Sequence, residues 1–298
     1  MILQFKNEEM HEFLFVLYAR HWFARTISIP QIWQTAEKIM KIFRLFLFCC
    51  FLELFVVASN AKADFFEWTD TEIQYLHGDS YRMPFNPNDV GQSIITFSHA
   101  DGWKYGRNFL FLDTMITENG QPSQTNIYGE IYSYFTLGKI LERDLSFGIF
   151  KDINATISLN AGENLNSPTS GTRAALYGFT IDFNLPYFSL FSIDFLRHNL
   201  LEPVNYGTSW QLTTVWKLPF TIANTKWDLE GFADFSETKN ASSVANILTQ
   251  PQLRLDVGDL LGESNHFFIG VEYQYWHNKY GIRGLNEGLP QALVVWKF

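Results

Sequence analysis

The final residues of the chain alternate strictly. Phe298, Trp296, Val294 and Ala292 fall on one face of an extended strand, and Lys297, Val295, Leu293 and Gln291 on the other. The same two-residue period recurs upstream. Trp227, Leu229, Ala233 and Phe235 oppose Asp228, Glu230, Phe232 and Asp234, and Leu253, Leu255 and Val257 oppose Gln252, Arg254 and Asp256. Phe267, Ile269, Val271, Tyr273 and Tyr275 oppose Glu272, Gln274 and Trp276, while Tyr177, Phe179, Ile181 and Phe183 oppose Thr180 and Asp182. Twelve such runs are predicted, at about 67–77, 92–100, 107–115, 127–136, 146–160, 173–183, 189–198, 208–217, 226–236, 250–257, 266–277 and 289–298. Connections after even strands are mostly short (Asp101–Gly106, Asn184–Phe188, Gly258–Asn265), and those after odd strands are longer and polar (Gly78–Gly91, Gly162–Thr172, Glu237–Thr249). Short turns at one end and long loops at the other predict an all-β transmembrane antiparallel β-barrel of about 12 strands. A basic residue facing lipid near the midplane costs about 2–4 kcal/mol, so the polar faces are expected to line the lumen. A soluble β-sandwich would turn them outward.

Composition sharpens this picture. Aromatic residues make up 17% of the chain, yet no apolar run after residue 63 approaches the length of a membrane-spanning helix. Met40-Lys41-Ile42-Phe43-Arg44, an apolar run from Leu45 to Ala58 and a final Ala61-Lys62-Ala63 predict a signal peptide over 40–63, cleaved after Ala63. Residues 1–39 carry no barrel pattern and read as an extension ahead of the true start, leaving 64–298 as the barrel. Cys49 and Cys50 both lie in the leader, so the mature chain has no thiol chemistry. The net charge of −9 argues against a nucleic-acid partner. The five histidines after residue 63 (His77, His99, His198, His266, His277) form no short-spaced metal pair, and no cofactor is expected.

The polar face interleaves aromatics with acids and amides. Candidate lumen residues are Trp68 (with Asp70, Glu72 and Gln74), then Arg107, Phe109, Phe111 and Asp113, opposite Leu110 and Leu112. Next come Tyr128, Glu130, Tyr132 and Tyr134, and then Glu272, Gln274 and Trp276. Flat rings offer a planar solute a stacking face, about 1–3 kcal/mol per base in single-stranded nucleic-acid sites, and carboxylates and amides pair with hydroxyls. The alternative is that these rings merely fill a narrow interior. Phe97-Ser98-His99-Ala100-Asp101-Gly102 loosely resembles the His-x-Ser-Asn-Gly motif of outer-membrane phospholipases. Asp101 occupies the nucleophile's place and Ser98 points to the opposite face from His99, so no enzyme is expected.

A terminal Phe298 behind alternating apolar residues resembles the C-terminal signature of bacterial outer-membrane barrels, which implies handling by the barrel-assembly machinery. Several stretches resemble the nucleoside-specific channel-forming outer-membrane porins (Tsx-like). They are Phe66-Glu67-Trp68-Thr69-Asp70, Ile127-Tyr128-Gly129-Glu130, Asp144-Leu145-Ser146-Phe147-Gly148 with Phe150-Lys151, Gln250-Pro251-Gln252-Leu253-Arg254-Leu255-Asp256-Val257 and Tyr273-Gln274-Tyr275-Trp276-His277-Asn278-Lys279-Tyr280-Gly281. The resemblance implies a monomeric barrel among the lipids of a Gram-negative outer membrane, passing nucleosides through a narrow lumen. In some members the outer loops also receive phage or colicin. A general small-solute porin or a structural or receptor barrel is the alternative.

Overall fold

The structure, a computed structural model, describes residues 65–118, 124–166, 171–202, 207–238 and 243–298. The expected extension over 1–39 and signal peptide over 40–63 lie outside these residues. The strands are β1 (Phe66–Tyr81), β2 (Val90–Trp103), β3 (Gly106–Glu118), β4 (Thr125–Thr136), β5 (Phe150–Asn164), β6 (Thr172–Phe183) and β7 (Leu190–Glu202). They continue with β8 (Thr208–Ile222), β9 (Thr225–Ser236), β10 (Asn246–Thr249), β11 (Gln252–Asp256), β12 (Phe267–His277) and β13 (Glu287–Lys297). From β1 to β9 each pairs antiparallel with its sequence neighbours, β12 pairs with β13, and β13 closes on β1 with Glu72 opposite Lys297 and Leu76 opposite Leu293. Short β10 and β11 together fill one place between β9 and β12, so the wall is a closed 12-strand barrel.

Burial along the strands runs opposite to that of a water-soluble fold. Inward Gln291 and Asn154 are 0% exposed and Arg254 2%, whereas outward Leu159 is 60% and Val271 49% exposed. The outward belt is apolar, with Ile73, Ile95, Ile131, Ile157, Ile269 and Val294 exposed. Toward the end where the described residues begin and finish it meets Trp103, Phe135, Trp296 and Phe298; toward the loop end it meets Trp210, Tyr273 and Tyr275. An apolar band between aromatic rims is what a lipid-facing wall requires.

Two predicted strand boundaries need correction. The fifth strand starts at Phe150 rather than 146, because residues 137–149 fold into a helix, α1 (Leu137–Leu141), and a tight turn. Gly138 makes this possible. Its N–H donates to Asp152 Oδ1 at 3.0 Å, and a Cβ there would lie 2.3 Å from the other carboxylate oxygen. Ser146 N then donates to Asp144 Oδ1 at 2.9 Å, and Gly148 at φ 59° turns Phe147 back onto Phe150. The tenth strand is not continuous over 250–257 but breaks at Gln250-Pro251, and Val257 begins a second helix, α2 (Val257–Leu261), capped by Asp256 accepting from Asp259 N. Proline has no N–H to offer the ladder. The chain bulges toward Gly231 of β9, where a Cβ would sit 2.5 Å from Gln250 O and 2.9 Å from Pro251 Cα. Both helices lie at the terminal end, so its connections are not uniformly short. Only the two-residue turns at 104–105 and 223–224 are tight, the latter with Ala223 and Asn224 both at positive φ. Gly231→Val is expected to destabilise the barrel by about 1–3 kcal/mol through this overlap. A urea transition at the wild-type midpoint would refute the close packing at the break.

Candidate lumen site

Inward side chains of β11, β12, β13 and β1 join in a continuous polar track running the length of the barrel. At the loop end, Lys279 Nζ contacts Glu287 Oε2 at 2.7 Å and Oε1 at 2.9 Å. Gln274 also donates to Glu287, and Gln250 donates to Gln274 at 2.6 Å and to Glu272 at 3.0 Å. Glu272 accepts further bonds from Gln252 at 2.6 Å and Gln291 at 2.7 Å. Arg254 Nε donates to Gln252 at 2.7 Å, while its two terminal nitrogens reach Glu72 at 3.1 Å each and Nη1 also lies 2.8 Å from Glu230. Lys217 extends the track to Glu230 at 2.8 Å and Asp228 at 3.6 Å. Since β11 and β1 are not neighbours in the sheet, the Arg254–Glu72 pair bridges across the wall's curve.

The opposite wall is built from β3 to β9. Arg107 clamps Asp182 through both terminal nitrogens at 2.6 and 2.8 Å, with its guanidinium 4.3 Å from the centre of the Tyr134 ring. Glu130 accepts from Tyr128 and from Asn160 at 2.7 Å, Asp113 from Thr96 at 2.6 Å, Asp194 from Thr180 at 2.7 Å and Asp234 from Thr213 at 2.5 Å. Rings fill the space between. Tyr132 and Tyr134 stack at 5.9 Å, and Phe109, Phe111 and Tyr128 form a ladder at 6.1 and 6.0 Å.

Eleven of the twelve predicted lumen residues therefore face inward: Arg107, Phe109, Phe111, Asp113, Tyr128, Glu130, Tyr132, Tyr134, Glu272, Gln274 and Trp276. The twelfth, Trp68, shares the parity of Asp70 and Glu72; it is half-exposed near the terminal rim and lies over Gly102, just inside a register shift at the start of β1. The rings are not standing free. Parallel rings 5.9 Å apart leave no room for a third between them, and Tyr134 is further covered by Arg107. Phe109 is the exception, with a face 37% exposed. Asp70, Arg107 and Lys217 are likewise partly accessible. Toward the loop end Tyr81, Lys279, Glu287 and Gln291 are packed together, all at or below 3% exposure.

A family model described as "Domain of unknown function (DUF5020)" matches residues 70–298, from the first inward acid of β1 to the terminal residue. The chain belongs to the DUF5020 family. No curated protein matches its sequence. Among solved structures it is similar to the translocator domain of the autotransporter NalP from Neisseria meningitidis, at 11% identity and a TM-score of 0.36, over 77% of this chain and 88% of that one.

Three residues central to this lumen are not among the sequence candidates: Arg254, Lys279 and Glu287. Arg254 was readable, since it alternates with Leu253 and Leu255, and only its role as the hub was not. Lys279 and Glu287 flank a connection whose path has no period. There a short 3₁₀ turn over Lys279–Gly281 follows Asn278 at φ 50°, with Tyr280 at φ 60°, and carries the lysine back over the lumen. Burial pulls the Lys279 pKa below the usual lysine value, against the opposing pull of Glu287, and pushes the Tyr280 phenol up to about 12. The phospholipase-like segment places Ser98 inward and His99 outward as its alternation requires, with His99 Nδ1 2.7 Å from Thr71 Oγ1.

Proposed function

We propose that this barrel sits in the outer membrane with its long loops outward and acts as a channel for passive, selective diffusion of small polar solutes, disfavouring anions. One observation carries the reading. Asp113, Glu130, Asp194, Asp234 and Glu272 all face the lumen, and among the described residues none has a cationic partner within ion-pair distance; each is held by hydroxyls, amides or phenols. A wall intended only to be packed would use apolar side chains, since buried polar groups cost free energy unless fully bonded. A ring of acids focuses cations and repels anions.

A planar bilayer with a salt gradient tests this. The reversal potential is expected to show cation preference, and Asp113→Asn with Glu130→Gln to move it toward zero. Anion preference, or no current and no liposome swelling with any small solute, would overturn the channel.

The nucleoside reading is the finer one, and the Phe109–Phe111–Tyr128 ladder beside Asp113 and Glu130 favours it. Phe109, 37% exposed, offers a flat base a ring face on which to stack. If nucleosides pass, their uptake into liposomes saturates, and Phe109→Ala weakens the half-saturation by about ten- to over a hundredfold, from about 1–3 kcal/mol of stacking. Uptake that never saturates, or that matches a disaccharide of similar polarity, removes nucleosides and leaves a less selective channel.

A further inference from the structure

At the loop end of the lumen one side chain sits in an unusual enclosure. Lys279 is 2% exposed, and its ammonium lies 5.2 Å from the Trp276 ring centre, 5.4 Å from Tyr280 and 5.8 Å from Tyr81. Both oxygens of Glu287 contact it at 2.7 and 2.9 Å. Three ring faces around one cation, closed by a carboxylate, is the arrangement by which proteins recognise organic ammonium groups, because ring quadrupoles attract a weakly hydrated cation and the acid supplies the counter-charge. Trp276 and Tyr280 also brace each other edge to face at 4.6 Å.

We propose that this enclosure is a binding site for a compact organic ammonium ion, and that Lys279 is its tethered occupant. Two observations point past a plain structural ion pair. First, two of the three rings and the carboxylate come from the barrel itself: Tyr81 ends β1, Trp276 lies on β12 and Glu287 begins β13, so they stay in place if the lysine leaves, while Tyr280 belongs to the turn that carries it. Second, the lysine is delivered by backbone in the left-handed region at Asn278, Tyr280 and Gly281, where a tyrosine is rarely found. A turn held this way has an alternative to relax into once a solute takes over the contacts of its side chain. Glu287 is also the first member of the polar track, joined through Gln274 to the acids below, so an ammonium exchanged for Lys279 enters at the head of an acid-lined path. The role in transport rests on the channel reading above; the binding site does not.

Choline chloride is the probe, with 3,3-dimethyl-1-butanol as its uncharged isostere. A tethered competitor acts at an effective concentration in the millimolar range, so freeing the box is expected to strengthen ligand binding by about tenfold or more. Calorimetry on the full-length refolded barrel should show Lys279→Ala binding choline at least about tenfold more tightly than wild type. The isostere should not gain, and Lys279→Ala with Trp276→Ala should lose the effect. Lys279→Met with Glu287→Gln, which leaves no unpaired charge, should fold and bind neither probe. If Lys279→Ala does not refold, wild-type protein alone decides: choline must bind saturably and the isostere must not. Equal binding of choline and isostere, or no choline binding to whichever form folds, overturns the site. Choline binding without choline flux into liposomes keeps the site and removes the channel, whereas flux unaffected by Lys279→Ala keeps the channel and removes the site's role in transport.

Discussion

Arg254→Met is expected to lower the stability of the barrel by about 3–5 kcal/mol, the cost of leaving buried carboxylates without their cation. The guanidinium is 2% exposed and serves two acids at once, bonded to Glu72 at 3.1 Å through both terminal nitrogens and to Glu230 at 2.8 Å. Methionine replaces the volume and removes the charge. Lys217 continues to hold Glu230 at 2.8 Å, whereas among the described cations Glu72 keeps only Lys297 at 3.9 Å and is the more exposed to the loss. The remedy is as informative as the damage. Adding Glu72→Gln to Arg254→Met is expected to recover most of the stability, because a neutral amide needs no counter-charge and can still pair with Gln74. Urea titration of the refolded protein in lipid, followed by tryptophan fluorescence and by gel mobility without heating, measures both. If the single variant matches wild type, the cross-wall pair contributes nothing; if the double variant is no better than the single, the lost contact is packing rather than charge.

Alternation carried most of the fold, for a physical reason. A barrel wall has two faces and a side-chain period of two, so every strand writes its orientation into its own sequence. Glu272, Gln274 and Trp276 were assignable to the lumen from three positions. The same logic failed where the period stopped. Gln250-Pro251 interrupts the tenth strand without an alternation signal, and its accommodation by Gly231 is a contact between residues from two strands that no local pattern encodes. Likewise Leu137–Leu141 and Val257–Leu261 are too short for a helical stripe to be distinguished from a strand end. The lumen chemistry divides along the same line. That Tyr132 and Tyr134 face inward was legible; that they stack on each other, leaving Phe109 as the open ring, depends on rotamers and register. Lys279 and Glu287 needed the three-dimensional path of a loop, because what makes them a pair is the return of Asn278–Gly281 over the mouth.

Ile157→Arg is expected to cost about 2–4 kcal/mol when the protein is folded in a bilayer, since a basic side chain facing lipid near the midplane must be dehydrated or must deform the membrane to reach water. Ile157 lies in the middle of β5, 53% exposed on the outer wall, with Tyr177 opposite and Leu159 two positions along. On a barrel surrounded by water the same change would be nearly neutral, because surface substitutions away from special features stay within about 0.5 kcal/mol. The solvent outside the wall is therefore decided by one substitution measured in two media. The penalty should appear in phospholipid vesicles. It should shrink in short-chain detergent, where the arginine can snorkel past a thin and fluid shell. It should also shrink when the arginine is moved to Trp210, 56% exposed and three residues into β8 at the loop end, because the cost of a lipid-facing charge falls with distance from the midplane. A uniform small effect at both positions and in both media would mean that the apolar belt of β5 and its neighbours does not face lipid, and the membrane reading would fail with it.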